Sequence, residues 1–197
     1  MGWIENLKSP DTDPEQAAEI VRHMEQDVFK LQQVSDRFSK IGSKPELHPC
    51  SLLHELLEAK RYMQIHASRH IVFDFPDEED QDYWVDINPN LFSWVLENLL
   101  RNALDAMEGE GRIMARISKH HHMIHLEITD TGKGIPAGKF DTIFRPGYST
   151  KLRGWGLGLS LAKRIIENYH NGRIYVKDSA IDQGTTFMIE LRESERG

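Results

Sequence analysis

Between residues 17 and 38 an apolar side chain returns every seven positions, at Ala17, Met24, Leu31 and Phe38. Val21 and Val28 sit four further on in the first two repeats, and Ser35 is the polar break in the seam. This spacing draws one narrow stripe along a helix, and such a stripe needs partner helices to cover it. Asp13 before Pro14 reads as an N-cap followed by a first-turn proline. Residues 1–8 read as the tail of an earlier helix cut at Met1, so the two would form an antiparallel hairpin. One hairpin cannot bury its own seam. The expectation is a second copy completing a dimeric four-helix bundle, the alternative a long helix packed on the chain's own globular part.

Gly42-Ser43-Lys44-Pro45 punctuates the pattern as a hinge. Beyond it the periodicity changes. Residues 51–66 read as a helix, 70–75 and 83–87 as strands, and Asn88-Pro89 opens a helix running to Met107. Alternating apolar residues predict strands over 112–119 and 123–129, a helix over 154–169, and a last strand pair over 172–176 and 185–191. Strand pairs set against helices on one face predict an α+β, two-layer sandwich, not an alternating parallel sheet. Two domains are expected: a partial helical hairpin over 1–42 and a globular domain over 46–195.

Charge narrows the partners. Lys and Arg total 24 against 31 Asp and Glu, a formal net charge of −7, which disfavours nucleic acid as a partner. A single cysteine, Cys50, excludes an intrachain disulfide and fits a reducing compartment. No apolar run approaches the roughly 18 residues of a membrane span. The expectation is a soluble, cytoplasmic chain without direct membrane contact, which could still be one end of a membrane-anchored receptor. The acidic run 77–82 reads as a solvated loop. His120-His121-His122 alternates faces if on a strand, so the three cannot share one ion.

Three segments are hard to explain by packing. Asn98, Asn102 and Asp105 fall at i, i+4 and i+7 on a helix otherwise rich in leucine. Unpaired buried amides cost about 1–3 kcal/mol each, so these groups need partners. They are either caps for neighbouring loops or oxygen ligands for a hard cation such as Mg²⁺. The second segment is Asp130-Thr131-Gly132-Lys133-Gly134-Ile135, directly after a strand. It is either an ordinary turn or a site where glycines let the backbone approach a ligand. Asp130, ending an apolar strand, needs a donor, which an adenine amine would supply; a site of this type can reject a base lacking that amine by roughly 10⁴. The third is Gly154-Trp155-Gly156-Leu157-Gly158-Leu159-Ser160, glycines leading into a helix, which expose N–H groups at the positive end of its dipole. It lacks the Lys-Ser/Thr of a P-loop. Arg145, Lys151 and Arg153 lie just before it; each alone could be a solvated charge, but together they favour phosphate contact.

Taken in order, these segments resemble the catalytic, ATP-binding domain of sensor histidine kinases, in the superfamily shared with DNA gyrase and the heat-shock chaperones. Residues 91–107 resemble its N box, 130–135 and 154–160 its two glycine boxes, 140–144 its F box, and Gly184-Thr185-Thr186-Phe187 its last motif. Residues 11–41 resemble the second helix of the dimerisation and phosphotransfer hairpin. The resemblance implies a Bergerat-type fold, with ATP and Mg²⁺ as ligands. It implies that Asn102 binds Mg²⁺, Asn98 lies beside the phosphates, and Asp130 takes the adenine amine. Gly132 and Gly134 would shape the pocket, together with Lys133 and Ile135, and Thr185 would support the adenine end. Asp105, Gly154, Trp155, Gly156, Leu157, Gly158 and Leu159 would complete the ATP site. Residues 145–153 would be a lid anchored by Phe140 and Phe144, with Lys151 and Arg153 near the phosphates. Trp155 departs from the small residue usual at its place.

Hydrolytic members carry a Glu four residues before the metal Asn. Here that place holds Asn98, and Glu97 is about 100° around the helix. An amide is no general base, which favours phosphoryl transfer over hydrolysis, with Asn98 and Lys151 as the catalytic candidates. None of the ten histidines has the His-Glu-x-x-x-Pro setting of a phosphoacceptor: His54-Glu55 lacks the proline and His23 lacks the context. The expectation is therefore an acceptor upstream of Met1, no self-phosphorylation by this chain, and relay to a response regulator receiver domain. Two other readings remain. A nucleotide-binding interaction module without transfer activity is disfavoured by the intact Asn102 and Asp130. An anti-sigma-type serine kinase is disfavoured by the heptads.

Overall fold

The computed structural model describes residues 14–22, 45–151 and 156–195. The chain divides into two compact units, Met1–Pro45 and Glu46–Gly197. In the first, residues 14–22 are helical, as the Asp13-Pro14 signal predicts. Most of the heptad stripe, the preceding hairpin arm and the turn before Pro45 lie outside the described residues.

The second unit runs β1 (His48–Ser51), α1 (Leu52–His66), β2 (His70–Asp74), β3 (Trp84–Ile87), α2 (Pro89–Met107), β4 (Glu110–His120), β5 (Met123–Asp130), two short 3-10 turns, α3 (Gly158–Arg164), a π-helical turn (Ile165–Tyr169), β6 (Arg173–Ser179) and β7 (Thr185–Arg192). Five strands form one sheet in the order β2-β4-β5-β7-β6, while β1 and β3 pair separately. β2 joins β4 in parallel, His70 opposite Glu110, and the other pairings of this sheet are antiparallel.

Alternation decides which face is covered. Along β5, Ile124, Leu126, Ile128 and Asp130 are buried while the residues between them are only half-buried. The buried row meets Val95, Leu96, Leu99 and Ala103 of α2 in one apolar core. The opposite face is covered by charge pairs instead, Lys177 with Glu127 and Arg116 with Asp74. Two layers result, as the strand pattern predicts.

Local signals explain the helix starts. Ser51 accepts from the His54 N–H at the head of α1, and Asn88 accepts from the Leu91 N–H at the head of α2. Three features differ from the sequence pattern. β1 carries no strand signal in the sequence: it holds Pro49 and lacks alternation, and its pairing with β3 creates it. The helix expected from residue 154 begins at Gly158 among the described residues. Its last turn widens, with His170 N–H donating to Ile165 O and Gly172 N–H to Ile166 O.

Candidate functional site

The last residue of β5 is Asp130, only 4% exposed although charged in kind. Its Oδ1 accepts from the Gly132 N–H at 2.8 Å, the bond that turns the chain sharply off the strand. Burial pushes the carboxyl up to about 6, against the backbone N–H groups of Gly132 and Thr185, which pull it down. Thr185 is Asp130's partner across β5 and β7 and is equally buried. Side chains opposite one another share a face of the sheet.

The loop after Asp130 is held by its backbone. Lys133 N–H donates to Ala106 O on α2, and Lys133 O accepts from Asp182 N–H. The Lys133 side chain is exposed. Gly134 must be glycine: its φ is +70°, and a Cβ there would lie 1.9 Å from Ala180 O. Ile135 N–H donates to Ser179 Oγ. The segment is a ligature between α2, β6 and β7, more than a plain turn.

On α2 the polar stripe has partners. Asn98 Nδ2 donates to Trp94 O within the helix. Lys151 Nζ donates to Asn102 Oδ1 at 2.9 Å and to Asp105 Oδ2 at 2.5 Å. One ammonium therefore sits between the two oxygens one helical turn apart. Oxygens that already share a cationic group fit a hard divalent ion, which wants the same ligands. Gly158, opening α3, approaches so closely that a Cβ would lie 2.7 Å from Asn98 Oδ1. That contact brings the head of α3 against the N-terminal part of the stripe.

Gly156 accepts from the Gly147 N–H, tying the segment before α3 to the 145–148 turn. Leu157 precedes α3 and Leu159 lies in its first turn, both half-buried. Arg153, Gly154 and Trp155 lie outside the described residues. Arg145 is exposed. Phe144 is buried, edge-on to Phe187 at 6.3 Å, with Lys163 Nζ 5.0 Å from its ring centre; Phe140 is half-buried at the margin of the core. Glu97 is half-buried beside the stripe. Among the described residues no group of three or more histidines, cysteines or acids has metal-binding geometry.

Two residues that sequence reasoning missed belong to this frame. Ser179 Oγ donates to Gly184 O at 2.8 Å, accepts from Ile135 N–H at 2.7 Å and lies 3.0 Å from Thr185 Oγ1. His170 is buried, and its Nε2 accepts from the Asn88 N–H at the head of α2. Burial pushes its imidazole down to about 4, so it stays neutral, and its Nδ1 has no partner. The position of Ser179 just before the Gly184 motif was the one signal available for it.

A buried carboxylate at a sheet end, followed by a glycine loop tied to the helix that carries the polar stripe, suits a purine nucleotide with its counter-ion. The layered architecture is that of the Bergerat-type ATP-binding domains. Residues 87–195, more than half of the chain, match the family described as histidine kinase-, DNA gyrase B-, and HSP90-like ATPase. The chain belongs to this family, and its ATP-binding domain is of the sensor histidine kinase kind. It is 33% identical over 134 residues to sporulation kinase A of Bacillus subtilis (strain 168), covering 68% of this chain and 22% of that one. It is 37% identical over 107 residues to the sensor histidine kinase ZraS of Escherichia coli (strain K12), covering 54% and 23%. The chain thus spans about a fifth of the length of these curated relatives. The crystal structure of histidine kinase ThkA in complex with the response regulator protein TrrA superposes with a TM-score of 0.72 at 23% identity, over 98% of this chain and 56% of that one. Among the described residues no helix is long and apolar enough to cross a membrane.

Proposed function

We propose that residues 46–195 form the catalytic domain of a two-component kinase, which binds Mg·ATP and donates its γ-phosphoryl group to a histidine. The observation that carries this reading is Asp130, a buried carboxylate fixed at the sheet end by the Gly132 N–H. An ionised carboxylate only accepts, so it selects a base edge that donates, such as the adenine amine. Asn102 would supply an oxygen ligand to Mg²⁺, with Asp105 beside it. When bound, the ion neutralises charge on the phosphate oxygens. Lys151, placed against both residues, is positioned to exchange them for a phosphate.

The acceptor histidine would come from a segment other than 46–195, since none in the chain has the acceptor context. In the transfer its ring nitrogen forms the N–P bond, the bond from the γ-phosphorus to the bridging oxygen breaks, ADP leaves, and the imidazole proton passes to solvent. Catalysis in such sites is mostly positioning and charge stabilisation. Asn98, whose amide is engaged by Trp94 O, offers no base to activate water. Hydrolysis should therefore be slow. Residues 1–42 would contribute to a dimerisation hairpin, and the phosphohistidine would serve a response regulator receiver domain.

Radiolabelled ATP, followed by the acid and base stability of the product, tests this. The chain alone should hold ATP and form no acid-labile phosphohistidine, and a supplied acceptor hairpin should become labelled. Stable self-labelling on His23 or His54 would overturn the acceptor argument, and fast hydrolysis abolished by Glu97→Gln would overturn the kinase assignment. Asn102→Asp should disturb metal and triphosphate binding; unchanged transfer would remove its ligand role. Leu31→Glu should convert a dimer to a monomer in light scattering, while an unchanged dimer would show that the seam is elsewhere.

A further inference from the structure

The hydroxyl of Ser179 is where three segments meet: the loop after β5, the end of β6 and the start of β7. A serine hydroxyl has one hydrogen and two lone pairs. Its hydrogen is committed to Gly184 O at 2.8 Å, because a carbonyl can only accept. One lone pair takes the Ile135 N–H at 2.7 Å. The contact with Thr185 Oγ1 at 3.0 Å must then be a donation from the threonine. Thr185 is buried, so its hydroxyl hydrogen is held toward Ser179 and it offers the rest of the site lone pairs alone. Its cross-strand partner Asp130, when ionised, is also only an acceptor.

We propose that Ser179 is a positioning residue for base selectivity: by holding the Thr185 hydroxyl as an acceptor, it keeps the buried end of the site free of side-chain donors. Such an end takes a purine edge carrying an amine and rejects one carrying an oxo group at the same place. An oxo group there would face lone pairs only and lose the hydrogen bond it had in water. The inference rests on the nucleotide reading above and adds to it the atom that enforces the choice. Were Ser179 absent, the Thr185 hydroxyl could rotate and donate, and the penalty on the oxo base would fall.

The probes are ATP and ITP, which differ only at this edge, titrated into the full chain by calorimetry, with folding followed by thermal melting. Wild type should prefer ATP. Ser179→Ala should lower the ATP-over-ITP ratio about tenfold, the worth of one recovered neutral hydrogen bond. Thr185→Val in the same chain should restore the ratio, because no hydroxyl is left to turn, and Ser179→Thr should keep it. Should the alanine variant not fold, Ser179→Cys, a weak donor and acceptor of similar size, makes the same comparison. A purely structural serine would weaken both nucleotides together and leave the ratio unchanged in every variant, which overturns the proposal. Wild type that binds neither nucleotide overturns the nucleotide reading itself and the proposal with it. ATP-selective wild type with an unchanged ratio in Ser179→Ala overturns the proposal alone.

Discussion

At Asp130 an apolar surround disfavours the charged carboxyl, which titrates at about 6. A protonated carboxyl has one acceptor fewer, so adenine nucleotide affinity should fall as the pH drops through that value. Asp130→Asn should bind weakly and show no such titration; calorimetry at pH values either side of 6 distinguishes the two, and a variant binding as wild type would move the adenine site elsewhere. Asp130 was legible in the sequence because an acid ending an alternating strand before glycines has no packing explanation. Asn98, Asn102 and Asp105 were legible for the same reason, as polar groups on an apolar helix. Ser179 and His170 were not. Their importance comes from Ile135 and from Asn88, groups that only the fold brings to them. Read singly, a serine closing a strand and a histidine closing a helix look ordinary. The pairing of Lys151 with Asn102 and Asp105 was half visible: a basic residue near phosphates was expected, but not that it would hold these two side chains itself.

The α2 helix carries the polar stripe, and its head is fastened twice. Asn88 Oδ1 takes the Leu91 N–H, and the Asn88 N–H goes to His170 Nε2. His170→Phe keeps the edge contact with Phe92 and removes the acceptor, leaving a buried N–H that should cost about 1–3 kcal/mol. Denaturant unfolding measures this; an unchanged midpoint would show that the bond contributes nothing. Elements with caps were readable from sequence, since Ser51 and Asn88-Pro89 mark helix starts by local chemistry. β1 was not readable, because a four-residue strand with a proline exists only through its partner β3. The π turn at Ile165–Tyr169 had no sequence mark either, as it comes from where His170 and Gly172 find their carbonyls.

Among the described residues the two most strongly shifted groups oppose each other. Asp130 is raised from 3.8 to about 6, so its contribution is present below 3.8 and is lost as the pH rises through 6. His170 is lowered from 6.5 to about 4, so its contribution is present above 6.5 and is lost as the pH falls through 4. Each amounts to roughly 3 kcal/mol at about 1.4 kcal/mol per unit, and in the window between they nearly cancel. Relative to wild type, Asp130→Asn should lose stability toward acid, and His170→Phe should gain it. Unfolding free energies measured through that window check both signs, and parallel curves for all three proteins would refute the pairing. The parallel edge has a consequence for the order of assembly. β4 and β5 are joined through His121 and His122, and β6 and β7 through a short turn, so both hairpins close early. β2 and β5 reach their partners β4 and β7 only across intervening helices, so both of these pairings form after the hairpins. β2, a strand of 5 residues paired along one side only, opens before the interior strands and without global unfolding. Amide exchange should therefore be fastest in β2 and slowest in β5 and β7, the pair that ends in Asp130 and Thr185. The end of the sheet that carries Asp130 and Thr185 thus rests on two interior strands, its most persistent part.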